Sequence, residues 1–323
     1  MPLILTGAVT LTGAVQASGS GQSAAPAPAP PAGPTTKAIF GYGNQSGSYQ
    51  SITNLVSNTG VVAANVTGVG TARAELAAAG YGGDKAIFGY GQSGSGAVSL
   101  TNKVSNTGVV STDTTGVGQA RYGPAAAGYG GDKALFGYGQ FSGVRSMTNL
   151  VSNTGVVSTD VTGVGTARSY LAAAGYGTDK AIFGYGEVSS GQYRSMTNLV
   201  SNTGVVAADV TGVGQVRSGL AAAGYGTDKA IFGYGAPNRS MTNKVSNTGV
   251  VATDTTGVGT GRYQLVAAGY GSDKAIFGLG TTNGSLGLTL TNLVSNTGVV
   301  ATDTTNAGIT GRRTAAAAGY SLA

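Results

Sequence analysis

Three series of charged side chains recur through this chain at nearly constant spacing, and they are where chemistry would first be sought. Arg73, Arg121, Arg168, Arg217, Arg262 and Arg312 form one series. Asp113, Asp160, Asp209, Asp254 and Asp303, with Asn65 standing first in line, form the second. Asp84, Asp132, Asp179, Asp228 and Asp273, each followed by Lys, form the third. A ring of guanidinium groups could capture anions, and a ring of carboxylates could hold a hard cation if about six oxygens converged. A single Asp per repeat, far from the next, is instead expected to cap a local turn through its own backbone. Each Arg, placed just before a run of small residues, is expected to supply a fork of donors to carbonyls or to an Asp between neighbouring units. The Asp-Lys pairs read as hairpin turns.

Other reactive groups are missing. The chain has no His and no Cys, which removes imidazole bases, thiolate nucleophiles, disulfides and the commonest zinc and copper ligands. Gly89-Tyr-Gly-Gln-Ser-Gly94 fits the G-x-G-x-x-G phosphate pattern, but that pattern works only where a helix follows. None is indicated here, and the equivalent Gly184-Tyr-Gly-Glu-Val-Ser-Ser lacks the third Gly. The reading is therefore of a protein that is not an enzyme, with no cofactor and no metal.

These residues need a frame, and composition points to strands. Gly is 58 of 323 residues, charged residues are 9% and hydrophobic residues 41%. That combination is too apolar for a disordered chain and favours β-structure with tight turns. The net charge of +6 does not mark a nucleic-acid site. One Lys and one Arg per repeat are opposed by the Asp series, and the excess comes from scattered Lys103, Arg145, Arg194, Arg239, Lys244 and Arg313. No apolar run reaches the ~18 residues of a membrane span. The N-terminus lacks the basic flank of a signal peptide, its first charged residue being Lys37.

The phrase Lys-Ala-Ile-Phe-Gly-Tyr-Gly starts at Lys37, Lys85, Lys133, Lys180, Lys229 and Lys274, with Leu135 and Leu279 as its only departures. The spacings are 48, 48, 47, 49 and 45 residues. Each copy continues through Ser-Asn-Thr-Gly-Val-Val, a Thr/Asp-rich stretch, Arg, and Ala-Ala-Gly-Tyr. Within one copy four strand-like runs are expected, at 171–177, 180–186, 195–201 and 205–210, joined by Gly- and Asn-containing turns. Four short antiparallel strands per 40 to 50 residues make one blade of a β-propeller. The small-residue runs suit strands crowded round a central axis.

The phase of the copies carries a further expectation. The first begins without an Ala-Ala-Ala-Gly-Tyr strand, and the last ends with Thr314-Ala-Ala-Ala-Ala-Gly-Tyr320. Pairing of 314–320 beside 37–43 would close a ring of six blades and leave no open sheet edge.

Arg168-Ser-Tyr-Leu-Ala-Ala-Ala-Gly-Tyr-Gly-Thr-Asp-Lys-Ala-Ile-Phe-Gly-Tyr-Gly186 resembles the kelch family of β-propellers over residues 37 to 320. Where that family has a Gly doublet this chain has Gly-Tyr-Gly, and the family's Trp is absent. The repeat vocabulary is also similar to kelch-like proteins encoded by tailed, often marine, bacteriophages. That resemblance implies a virion structural protein, and the Thr/Gly/Ala/Val-rich N-terminus is similar to segments by which such proteins attach to a particle.

The expected organisation is thus all-β: an N-terminal anchoring arm at 1–23, a Pro/Ala-rich linker at 24–36, and a six-bladed kelch-like β-propeller at 37–323. Leu3, Ile4, Leu5, Val9, Leu11 and Val15 of the arm are expected to pair with an edge on another virion protein. The segment after Phe-Gly-Tyr-Gly differs in every copy, at 44–50, 92–98, 140–145, 187–194, 236–239 and 281–288. Recognition is placed there, with Tyr49, Phe141, Arg145, Tyr193, Arg194 and Arg239 as candidate contacts. The expected role is a non-enzymatic part of a virion, in assembly or in contact with a host-surface glycan or protein, without nucleic acid or membrane insertion. The alternative is a carbohydrate-binding adhesin, extracellular or on the cell surface.

Overall fold

The structure, a computed structural model, describes residues 35–321. The expected arm with Leu3, Ile4, Leu5, Val9, Leu11 and Val15, and the linker up to residue 34, lie outside the described residues. The described chain is all-β, with six antiparallel sheets of three or four strands and one two-stranded ribbon.

Each sheet has an inner, a middle and an outer strand. The inner strands are Ala77–Tyr81, Ala125–Tyr129, Ala172–Tyr176, Ala221–Tyr225, Val266–Tyr270 and Ala316–Tyr320. Each packs against the next in cyclic order, Ala316–Tyr320 lying beside both Val266–Tyr270 and Ala77–Tyr81. Small side chains allow this approach. A Cβ on Gly128 would sit 3.4 Å from the Gly80 carbonyl oxygen, and one on Gly175 as close to that of Gly128. The middle strands begin at the repeated Lys and are buried throughout their Ala-Ile-Phe-Gly core. Ala316–Tyr320 pairs with Lys37–Gln45, matching Lys37 to Tyr320 and Gly41 to Ala316.

The fourth strand differs from expectation. In five repeats the stretch from the last Val of Ser-Asn-Thr-Gly-Val-Val onward forms no continuous strand and meets the outer strand through isolated bridges such as Val200 with Val206 and Thr197 with Val210. A two-residue strand, Thr304–Thr305, forms in the last repeat alone. Exposed Thr and Asp do not bury enough surface there to hold a longer ladder. The Gly-rich 89–94 segment runs into the ribbon Gln92–Ser93 with Gly96–Ala97, not into a helix.

Sheets are locked together by the repeated motif. A Cβ on Gly184 would stand 2.8 Å from Cζ of Phe232 in the next repeat, so the first Gly of Phe-Gly-Tyr-Gly is the seat for the neighbouring ring. The Tyr that follows adopts a left-handed backbone, φ +61° to +66° at Tyr42, Tyr90, Tyr138, Tyr185 and Tyr234. For a bulky residue this conformation is costly. Its return is the ring's placement: Tyr42 meets Phe88 edge-on at 5.1 Å, lies under the Arg73 guanidinium at 4.4 Å, and donates its hydroxyl to the Val69 carbonyl at 3.1 Å.

Candidate functional site

The Arg series lies wholly inside, all six being 0% exposed. Arg73 donates from Nε to the Tyr90 carbonyl at 2.9 Å, from Nη1 to the Thr71 carbonyl at 3.2 Å and from Nη2 to Asn102 Oδ1 at 2.6 Å. Its Nη1 stands 3.7 Å from Asp113. An ion this deep is tolerated only with such partners. Five of the six stand within 4 Å of an Asp of the next repeat and Arg73, Arg121 and Arg262 also bond carbonyls, while Arg312 has neither, and the buried series offers no surface to an external anion.

The Asp113 series corrects the expectation of a local cap. Asp113 accepts from the Thr71 N–H at 2.9 Å and Thr71 Oγ1 at 2.6 Å, 42 residues earlier, and from Asn102 Nδ2 at 2.9 Å. Burial works against its ionised form, but those donors and Arg73 hold its carboxyl below the usual range. Spacing along the chain had hidden the contact because the partner belongs to the preceding repeat. The Asp84 series behaves as read: Asp179 accepts from Lys180 at 2.9 Å and Asp228 from Lys229 at 2.7 Å, inside their turns.

The two ends of the inner strands differ. At the Tyr end a cavity of about 260 Å³ is lined by Gly80, Tyr81, Lys180, Lys229 and their counterparts, together with Thr35. Every Lys of this mouth that follows an Asp is bound to it, so the repeated charges largely cancel. At the opposite end the residue two after each Arg closes a cycle of backbone hydrogen bonds. Gly123 N–H donates to Glu75, Tyr170 to Gly123, Gly219 to Tyr170, Gln264 to Gly219, Thr314 to Gln264, and Glu75 back to Thr314, at 2.6–2.9 Å. All six have positive φ, from +50° to +63°. Glycine would satisfy that geometry most cheaply, yet four positions carry Glu, Tyr, Gln and Thr.

Those side chains gather over a depression of about 70 Å³ whose floor includes Leu76, Leu171, Leu220 and Leu265. The Tyr170 hydroxyl donates to Glu75 at 2.7 Å and accepts from Gln140 Nε2 at 3.2 Å. Arg313 donates to Gln264 Oε1 at 3.3 Å. Burial pushes the Glu75 carboxyl up, with Tyr170 and Arg313 opposing. Burial, the Glu75 charge and the bond to Glu75 push the Tyr170 phenol up as well. Farther from the axis, burial likewise raises Glu187, which accepts from Ser218 at 3.3 Å. No three metal-ligating side chains converge among the described residues. The arrangement is a small amphipathic depression, lined by hydrogen-bonding groups and leucines.

The candidate rim residues occupy this same irregular face but do not converge. Phe141 is 42% exposed. Tyr49 and Tyr193 are half-buried, and Arg239 stands exposed at the start of its strand. Arg145 is tied to Gln119 and the Val144 carbonyl, Arg194 to the carbonyls of Gln192 and Tyr193. The axial cluster was missed. Part of its signal was present, because Glu75 is one of only two glutamates in the chain.

No protein-family model and no curated protein sequence matches the chain. Among solved structures it is similar to that of YjhT, a β-propeller, with a TM-score of 0.59 and 14% identity over 83% of this chain and 95% of that one. The fold is propeller-like and all-β. At that identity the likeness bears on fold alone.

Proposed function

We propose that the chain is a six-bladed kelch-like β-propeller, closed by its C-terminal strand, that serves as a non-enzymatic structural component of a tailed-phage virion. It is tethered through residues 1–23 and presents its irregular face to another particle protein or to the host surface. Six sheets, the pairing of Ala316–Tyr320 with Lys37–Gln45 and the cyclic hydrogen bonds support the architecture. One observation carries the function: divergence between repeats is concentrated on one face, while the chain enters the fold at Thr35 on the other. A tether and a recognition surface are thereby kept on opposite sides, as attachment to a particle requires. Mass spectrometry of phage particles purified from cells that make the chain tests this. Recovery at a fixed copy number per particle is expected, and its absence from intact particles overturns the reading.

The axial depression favours a second reading, a carbohydrate-binding propeller that acts free of any particle. Glu75 and Gln264 offer an acceptor and a donor at the edge of an apolar floor, a combination that suits a hydroxylated ring. Binding of the full chain to a neutral glycan, together with its absence from particles, supports this reading over the first.

A further inference from the structure

Five of the six junctions between repeats share one chemistry, and the sixth abandons it. At Arg73, Arg121, Arg168, Arg217 and Arg262 the guanidinium lies 4.0–4.9 Å from the ring centre of the Tyr of its own repeat. In each, an Asp of the following repeat approaches Nη1 to 3.4–3.9 Å. Arg312 joins the last repeat to the first. Leu279 stands where the Tyr would be, and Asn65 where the Asp would be. Ile309 replaces the Gly that elsewhere makes room for the carboxylate: a Cβ on Gly70 would lie within 2.4 Å of Asp113 Oδ1. Leu279 and Ile309 pack together in the apolar cluster of this junction.

The exchange leaves Arg312 poorly served. It is 0% exposed, donates from Nη2 to Asn54 at 2.7 Å, and has no partner at Nε or Nη1. An empty Nε also occurs at Arg121, Arg168 and Arg217, so the distinguishing loss is at Nη1. Asn65 turns to Thr310, accepting from its N–H at 3.1 Å and donating to its hydroxyl at 2.7 Å. Burial alone lowers the Arg312 guanidinium to about 10. A buried cation lacking both counter-ion and aromatic face is the costliest group of its kind in the described fold.

We infer that the junction between the last and first repeats is a built-in seam, the place where this fold opens first and from which the inner strand Ala316–Tyr320 is released. Opening hydrates Arg312, whereas at each of the other five junctions it would separate a guanidinium from a carboxylate and an aromatic ring. Ala316–Tyr320 is held to Lys37–Gln45 by ladder pairing between residues far apart in sequence, whereas every other inner strand runs through a short turn into its middle strand.

Amide hydrogen exchange on the full chain tests it, because six equivalent amides report on the six junctions. Gly43, Gly91, Gly139, Gly186, Gly235 and Gly280 each donate to the carbonyl of the junction Arg, at 2.9–3.0 Å. The Gly280 amide is expected to exchange about tenfold or more faster than the other five. Asn65→Asp, and the triple change Leu279→Tyr, Asn65→Asp, Ile309→Gly, supply the missing partners. Slowing of Gly280 in either one supports a seam. The reverse pair Tyr185→Leu with Asp254→Asn is expected to speed Gly186. Gly280 exchanging like its five counterparts in the parent chain overturns the inference. So does fast exchange at Gly280 that neither restoring variant slows, since that would be ordinary fraying of a chain end.

Discussion

At one end of the inner strands, Ser-Asn-Thr-Gly-Val-Val occurs six times without a change, and the Lys after each turn Asp is held by that Asp. At the other end no two loops agree, and the six residues around the axis are Glu75, Gly123, Tyr170, Gly219, Gln264 and Thr314. Both ends belong to the same strands, so the strands themselves do not account for the contrast. On the regular side the turns are seats: a Cβ on Gly204 would fall 2.8 Å from Cζ of Tyr129, and sequence there answers to a neighbour. On the irregular side many positions meet only solvent or the axis. Left-handed Glu, Tyr and Gln are kept there although glycine would be less strained. The frame is repeated because each unit must fit the next, and the irregular side is where that constraint lapses.

Substitutions should separate the two regions by size of effect. The largest is expected inside the frame. Arg217→Met strands Asp254 and Asn243 and should cost about 3 kcal/mol or more in denaturant unfolding. Alkali comes next, because it attacks several junctions together. Burial holds the phenols of Tyr42, Tyr138, Tyr185 and Tyr234 up at about 12, against their arginines. The unfolded chain releases these protons near pH 10. Stability is therefore complete below pH 10 and falls as pH rises from 10 to 12, which thermal melts across that window would record. Glycines give a matched pair. Gly184→Ala drives a methyl into Phe232 and should cost roughly 1–3 kcal/mol. Gly94→Ala on the irregular rim meets nothing within 4 Å and should stay within about 0.5 kcal/mol. Phe141→Ser should be smallest in stability, again within about 0.5 kcal/mol. Equal costs at Gly184 and Gly94 would dissolve the distinction between frame and face.

Much of the frame was legible in the sequence, for a physical reason. A period of 45 to 49 residues, turn glycines and small-residue runs are backbone requirements, and backbone requirements repeat. The inner strand Ala172–Tyr176 and the turn bond between Asp179 and Lys180 follow directly from residue type. Contacts between repeats were less legible. Asp209 looks like a local cap until Thr166, 43 residues earlier, is found donating to it. The left-handed Tyr of Phe-Gly-Tyr-Gly reads from sequence as ordinary strand, since only the Arg above it explains its turn. The axial cluster escaped because its six positions carry five residue types, Gly alone recurring, and resemble noise in a self-alignment. Among the rim candidates, Tyr49 and Tyr193 proved half-buried because strand bridges draw them in, whereas Phe141 stands out at its loop tip.

Binding of the full chain to an array of bacterial surface glycans tests the contrast between faces most directly. The parent would be compared with Glu75→Gln/Phe141→Ser on the irregular face and with Val205→Ser/Val250→Ser on the regular face, where both valines are about two-thirds exposed. All three should keep the same melting behaviour within a few degrees. Loss of about tenfold or more in affinity for the first pair, with parental binding by the second, is the predicted result. Binding that survives the first pair and disappears with the second would contradict the account.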